Sequence, residues 1–176
     1  MERLRKRVDR VLAFMLVVIT GTAVLNVLWQ VFTRWVLRFP SSYTEELARY
    51  LLIWMGVLGA AYAVGRKLHL AIDLLPTKLT GRAAHVLDIV IEASVFAFAL
   101  AVMVVGGLRL VSLTLLLGQT SAALQIPLGY VYLVLPLSGV IMLFYTTTFI
   151  VERVRALRGL PVDITESQRT TTDPID

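Results

Sequence analysis

Ser41–Leu75 reads SSYTEELARYLLIWMGVLGAAYAVGRKLHLAIDLL and contains both the start and the end of one long apolar helix. Ser42 and Glu45 have the spacing of a capping box, in which each side chain accepts a hydrogen bond from the backbone N–H of the other residue. An uncharged run then continues as far as a basic turn at Arg66. A run of this length and composition predicts a transmembrane helix over about 45–65.

The first turns of this helix carry a charged corner made of Glu45, Glu46 and Arg49. The helix dipole favours acidic residues in a first turn, and Arg49 lies three and four positions further along the same side. We expect the corner to order this end of the helix and to pair with Arg34 or Arg38, which precede it in the chain. Exposed ion pairs contribute only about 0–1 kcal/mol, so the predicted role is geometric.

Composition extends the membrane interpretation to the whole chain. Of its 176 residues, 57% are hydrophobic and only 16% are charged, and a soluble domain of this size could not bury so much apolar surface. The chain has no cysteine, which excludes disulfides and thiolate metal sites. The net charge of +5 comes from basic residues beside apolar runs, which favours a membrane-orientation signal over nucleic-acid binding.

Further apolar runs are long enough to cross a membrane. Val11–Thr33 is uncharged for 23 residues, which is longer than the apolar part of a signal peptide. Leu110–Val151 is uncharged for 42 residues, which is too long for one span, and the turn residues Gly118 and Pro127 break it. The predicted spans cover about 11–35, 45–65, 83–110 and 127–151.

The predicted fold is all-α: an integral membrane four-helix bundle with a short amphipathic connection between its first and second helices. The transmembrane domain covers residues 1–158, and the tail that follows, 159–176, is expected to be disordered. Four spans put both termini on one side, which carries 13 lysine and arginine residues against 4 on the other side. The positive-inside rule therefore predicts that both termini and the tail are cytoplasmic.

The first helix carries a line of polar residues. Asn26, Gln30 and Arg34 recur every four positions and therefore share one face. A polar group in hydrocarbon needs a partner, so these side chains are predicted to face protein. Contacts within this chain are the favoured interpretation, and a contact face for another subunit is the alternative.

Small residues and carboxylates mark two further candidate contact sites. Gly56 and Gly59 each precede an alanine by four positions, a spacing that lets helices approach closely, either within the chain or on a partner. Asp88 and Glu92 share one side of the third span, with Glu92 about 15 Å along the helix from Arg82. We expect both carboxylates to be polar anchors that face a partner or the bundle itself.

The sequence has no phosphate-binding glycine loop, nucleophile elbow or pair of zinc histidines, and it does not indicate an enzyme. One alternative function is a stand-alone small transporter that works as an oligomer. Such transporters place an essential carboxylate in the first span, and this first span has none. A membrane anchor for a redox enzyme is disfavoured, because the two histidines do not form a pair deep in the spans and cysteine is absent.

Several short motifs follow one another along the four predicted spans. They are EELARYL at 45–51, Trp54, GAA at 59–61, His69 and Asp73 four positions apart, TSAALQIP at 120–127, YVY at 130–132, and Pro136. In this order and spacing they resemble the small membrane subunit of TRAP (tripartite ATP-independent periplasmic) transporters. The resemblance covers about Val8–Arg155.

The resemblance implies a function and a set of partners. In this family the small subunit pairs with a large multi-span permease subunit in the bacterial inner membrane, and a periplasmic binding protein delivers a substrate, commonly an organic acid. An ion gradient, usually of sodium, drives uptake. The large subunit is expected to carry the substrate and ion sites. The small subunit, here expected to be a separate chain, would brace the static scaffold among membrane lipids and help to form the outer docking surface, without cofactor or metal.

Overall fold

The computed structural model describes residues 2–38, 41–66 and 82–157. Helices and turns make up this part of the chain, with no strand among the described residues. The helices are α1 (Glu2–Trp35), α2 (Ser42–Gly65), α3 (Arg82–Phe98), a π-helical segment (Ala99–Gly106), α4 (Gly107–Leu116), α5 (Leu128–Tyr132) and α6 (Val134–Leu157).

Four of the helical stretches are long and apolar enough to cross a membrane: Leu4–Trp35, Ser42–Gly65, Ile89–Leu116 and Leu128–Glu152. The predicted all-α, four-span architecture is therefore confirmed. Two boundaries differ from the prediction, because α1 already begins at Glu2 and the third span continues to Leu116 instead of ending near 110. Residues 159–176 lie outside the described residues.

The third span ends where its last turn is closed by backbone hydrogen bonds. Gly118 adopts a positive φ of 60°, a conformation that glycine reaches without strain. The N–H of Gln119 donates to the carbonyl of Thr114, and the N–H of Gly118 donates to that of Leu115, each at 3.1 Å. These two bonds form a Schellman motif, which commonly ends a helix at a glycine. The third span therefore continues past residue 110 and ends just before Gly118.

The third span approaches the fourth closely where the third span departs from regular α-helix. A Cβ atom at Gly139 would lie 2.8 Å from the side chain of Val104 and 2.9 Å from that of Met103, so glycine permits this contact with the π-helical segment. The fourth span is interrupted at Leu133. Pro136 has no N–H to offer the carbonyl four residues earlier, which accounts for the break between α5 and α6.

The core lies around α6. Tyr145 and Phe149 are 0% and 1% exposed, and they pack with buried residues of α2, α1 and the π-helical segment, including Leu58, Leu12 and Met103. Half of the most apolar stretch of the fourth span is buried within the chain, against 6% for the first span. The first span therefore presents most of its apolar surface outward, to lipid or to another protein.

Candidate functional site

The N-terminus of α2 starts one residue earlier than the sequence indicated. Ser41, with extended backbone (φ −94°, ψ 113°), is the N-cap, and no side chain caps the helix. The predicted capping box of Ser42 and Glu45 is therefore wrong. The Thr44 hydroxyl instead donates to the Ser41 carbonyl at 2.8 Å and lies 2.6 Å from the Ser41 hydroxyl. Glu45 is one position too far along the helix to complete a box with Ser41.

The two neighbouring carboxylates of the charged corner have different surroundings. Glu45 faces outward and forms an i,i+4 ion pair with Arg49 at 3.7 Å, with both side chains about two-thirds exposed. Glu46 is half-buried, because successive residues of a helix point about 100° apart. The sequence predicts that the corner pairs with Arg34 or Arg38. For Glu46 this prediction is wrong, because its carboxylate instead accepts hydrogen bonds from backbone amides of a distant loop.

Glu46 binds three consecutive backbone N–H groups in the turn between the third and fourth spans. Ala122 donates to Oε1 at 3.2 Å, while Ala123 and Leu124 donate to Oε2 at 2.8 and 2.9 Å. The hydroxyl of Tyr50, one turn along α2, donates to Oε1 at 2.7 Å. Hydrogen bonds to an ionised carboxylate are stronger than those between neutral groups. We call this arrangement the Glu46 clasp.

The loop presents its amides because its own backbone closes a compact turn. The N–H of Ser121 donates to the carbonyl of Ile126 at 2.9 Å, and Thr120 pairs with Pro127 as an isolated antiparallel bridge. Gln125 takes a positive φ of 54°, which reverses the chain. Successive N–H groups held in a turn point into one concavity and bind an anion, and here the anion is a side chain of the same protein.

The polar face of the first helix also makes contacts within the chain. The Asn26 amide donates to the carbonyl of Thr44 at 2.7 Å and so joins α1 to the first turn of α2. Gln30 is half-buried, and Arg34 is exposed. The Trp29 ring N–H donates to the Tyr43 hydroxyl at 3.5 Å, close to the same junction.

The candidate residues in the middle of α2 divide between its inner and outer sides. The Trp54 ring N–H donates to the carbonyl of Val131 at 3.0 Å, in the short helix α5. A Cβ at Gly59 would have only ordinary contact, 4.0 Å from Leu16. Gly56 is exposed, with no atom of the chain within 4 Å of its added Cβ.

Of the remaining candidates, the structure describes only the side chain of Glu92. Glu92 is half-buried in α3. Asp88 lies on the same helix, and its side chain is outside the described residues, as are His69 and Asp73 altogether. Among the side chains that the structure describes, no three of His, Cys, Asp or Glu come together as a metal site would require.

A second cluster of contacts, which the sequence did not predict, joins the start of α1 to the end of α2 and to the second half of α6. Arg5 donates to the carbonyl of Gly65 at 2.9 Å, and its guanidinium lies 4.7 Å from the centre of the Phe149 ring. The hydroxyl of Tyr145 donates to the Asp9 carboxylate. We call this the N-terminal cluster. The signal that could have revealed it is Asp9, an acidic residue among basic ones next to an apolar run.

Comparisons with known proteins identify the family of this chain. Residues 23–156, which include the whole Glu46 clasp, match the DctQ component of tripartite ATP-independent periplasmic transporters. The sialic acid TRAP transporter small permease protein SiaQ of Vibrio cholerae serotype O1 is 29% identical over 165 residues, 91% of each chain. The isethionate TRAP transporter permease protein DctMQ of Oleidesulfovibrio alaskensis is 32% identical over 96 residues, 54% of this chain and 15% of that one. The chain therefore belongs to the DctQ family, the small permease components of TRAP transporters, and is a multi-pass protein of the bacterial inner membrane.

Proposed function

We propose that this chain is a static scaffold subunit that braces a large permease subunit and catalyses no reaction of its own. The observation that carries the proposal is the Glu46 clasp, which uses a membrane-boundary carboxylate to fix a loop of the same chain. The Asn26 amide is used in the same way, on the backbone of Thr44. The Glu46 carboxylate and the Asn26 amide are polar groups that could line a transport pathway, but both are engaged in hydrogen bonds that hold parts of this chain together.

The length of one relative supports a large permease subunit as the partner of this chain. The chain matches only 15% of the permease protein DctMQ, so most of that relative lies outside the match. We infer that this chain assembles with a separate large permease subunit of the DctM kind. With both termini cytoplasmic, as the distribution of basic residues favours, the clasp and the loop over 118–127 face outward.

The proposed contact surface for the large subunit lies on the outer side of α2. Leu52, Gly56 and Ala60 recur on one exposed face, and a side chain at Gly56 would meet nothing within the chain. Small residues on a membrane helix let a second helix approach its backbone, which strengthens packing where no hydrophobic effect drives association. This face therefore suits a helix of a larger membrane protein.

The substrate class follows from the relatives by inference. Sialic acid and isethionate, named for the two relatives, are both organic anions. We infer uptake of an organic acid, delivered by a periplasmic binding protein and driven by an ion gradient, usually of sodium in this family. The outer loop that Glu46 holds would form part of the surface on which the binding protein docks.

The scaffold proposal predicts that a bulky residue on the outer face of α2 breaks the complex. In Gly56→Leu, the new side chain has room within the chain but occupies the space of an approaching helix. We expect the variant to fold in the membrane and to lose co-purification of the large subunit, measured by tagged extraction in mild detergent and mass spectrometry.

Gly21→Leu is the matched control. Gly21 is also an exposed helical glycine with no atom within 4 Å of its added Cβ, but it lies on the outer side of α1. The control should retain the large subunit and uptake. Recovery of the unsubstituted chain only as a homo-oligomer, without a many-span partner, would contradict the scaffold function and favour a stand-alone oligomeric transporter.

A further inference from the structure

The first turns of α1 separate their charged residues onto two sides. On the inner side, Arg5 and Asp9 are engaged in the N-terminal cluster, and Leu12 below them is 2% exposed. On the outer side, Lys6 and Arg7 are exposed. Arg10 follows these two at three- and four-residue spacing and is exposed as well, so the three cations share one outward face.

The same face continues as an apolar stripe. Phe14 and Val17 lie four and seven positions beyond Arg10, and their side chains are 68% and 70% exposed. Gly21 extends the stripe by a further turn and leaves open space above the backbone. The outer side of α1 is thus cationic at its start and apolar for at least the next three turns, with no acidic residue in that apolar part.

The length of α1 places these cations at a defined depth. The uncharged run of 23 residues from Val11 spans about 35 Å at 1.5 Å per residue, close to the thickness of the hydrocarbon core of a bilayer. The helix continues without a break through the preceding residues as far as Glu2. Lys6, Arg7 and Arg10 therefore lie within about 6 Å of one another along the helix axis, in the headgroup layer where lipid phosphates lie.

We propose that this face of α1 binds an anionic phospholipid. The headgroup phosphate contacts Lys6, Arg7 and Arg10, and an acyl chain lies along Phe14 and Val17. The nearest described carboxylate, that of Asp9, is half-buried and accepts a hydrogen bond from Tyr145 of α6, so it is engaged within the bundle, while the three cations are exposed. The contact goes beyond the scaffold function and does not use the proposed α2 contact face.

The test is lipid binding by the full chain, purified in neutral detergent both alone and co-expressed with its large permease subunit. Native mass spectrometry counts bound lipid after titration with phosphatidylglycerol or phosphatidylcholine of the same acyl chains. We expect phosphatidylglycerol to bind about tenfold more tightly, and increasing salt to weaken only this binding. The triple variant Lys6→Gln, Arg7→Gln, Arg10→Gln should bind the two lipids about equally.

The matched control removes three exposed cations at the other end of the first two spans, in the triple variant Arg34→Gln, Arg38→Gln, Arg49→Gln. It should keep the preference for phosphatidylglycerol. The charge-conserving triple variant Lys6→Arg, Arg7→Lys, Arg10→Lys should keep the preference for phosphatidylglycerol too. If a variant folds poorly, the salt titration on the unsubstituted protein still tests whether the preference is electrostatic.

Several outcomes would overturn the proposal. Equal binding of the two lipids by the unsubstituted protein would do so, as would an unchanged preference in the N-terminal triple variant. Full competition by glycerol phosphate would reduce the site to one for free phosphate. Loss of the preference on assembly would show that the large subunit covers this face. Failure here leaves the Gly56→Leu result, and with it the scaffold function, untouched.

Discussion

The Glu46 clasp and the N-terminal cluster hold opposite ends of the bundle by different means. In the clasp, one carboxylate accepts three backbone N–H bonds from a loop about 76 residues away in sequence. In the cluster, Arg5 donates to one carbonyl and Tyr145 donates to the Asp9 carboxylate, and these two bonds are backed by the fully buried rings of Tyr145 and Phe149. One end is held by directed polar bonds, and the other mainly by packing. The difference predicts which substitutions unfold the protein and which only loosen a loop.

The largest effect is expected where packing dominates. In Gly65→Ala, the new Cβ would lie 2.6, 2.7 and 2.9 Å from three atoms of the Tyr145 ring, and the buried ring has no space to move. We expect the free energy of unfolding to fall by about 1–3 kcal/mol, measured by denaturation in mild detergent.

Gly59→Ala is the control for this prediction. Its Cβ would meet Leu16 at 4.0 Å, an ordinary contact, and alanine is the better helix former. Stability should stay constant or rise. If both alanine variants behaved alike, the tight contact between Gly65 and Tyr145 would have no energetic weight, and the contrast between the two ends would fail.

An intermediate and local effect is expected at the clasp. In Glu46→Gln, the neutral amide offers one acceptor oxygen to three N–H groups and presents an NH2 group to the others. We expect faster hydrogen exchange at Ala122, Ala123 and Leu124, with little change in the exchange of the helices.

The neighbouring variant Glu45→Gln removes the same charge one residue earlier, outside the clasp. Exchange in the loop should match that of the unsubstituted protein. Equal exchange in the loop of both variants would mean that the Glu46 contact does not order it.

The smallest effect is expected from the ion pair beside the clasp. Arg49→Gln removes the partner of Glu45 at a site where both side chains are about two-thirds exposed. Solvent-screened i,i+4 pairs contribute about 0.3–0.5 kcal/mol, so the melting temperature should change by little more than the error of the measurement. A large loss of stability would show that Arg49, and not Glu46, organises this end of α2.

The span architecture was predictable because it depends on local composition. Uncharged runs such as Val11–Thr33, bounded by basic residues, have one physical solution in a bilayer. The exact residues at which the helices begin and end were harder to predict from the sequence. Ser41 and Ser42 are both good N-caps, and the choice between them depends on Thr44, whose hydroxyl bonds back to Ser41. The π-helical segment packs closely against Gly139, a contact between two helices that no periodicity in one helix reveals.

The candidate site was only half predictable. The position of Glu46 marked it as a residue of interest, but its partners are backbone N–H groups of Ala122, Ala123 and Leu124, and every sequence offers such groups everywhere. Their convergence depends on the turn geometry of a distant loop. The role of Asn26 was partly predictable, because a lone amide in an apolar helix needs a hydrogen-bond partner. The sequence could not identify that partner as the Thr44 carbonyl.

The central position of α6 determines when the protein can fold. The first three spans enter the membrane before the last one is synthesised, and until then Leu58, Leu12 and Met103 have no Tyr145 or Phe149 to pack against. Phe149 and Tyr145, which contact Arg5 and Asp9, are likewise synthesised more than 130 residues later. We therefore expect insertion of the first helices and assembly of the core to be separate events, with the core completed only once α6 is present.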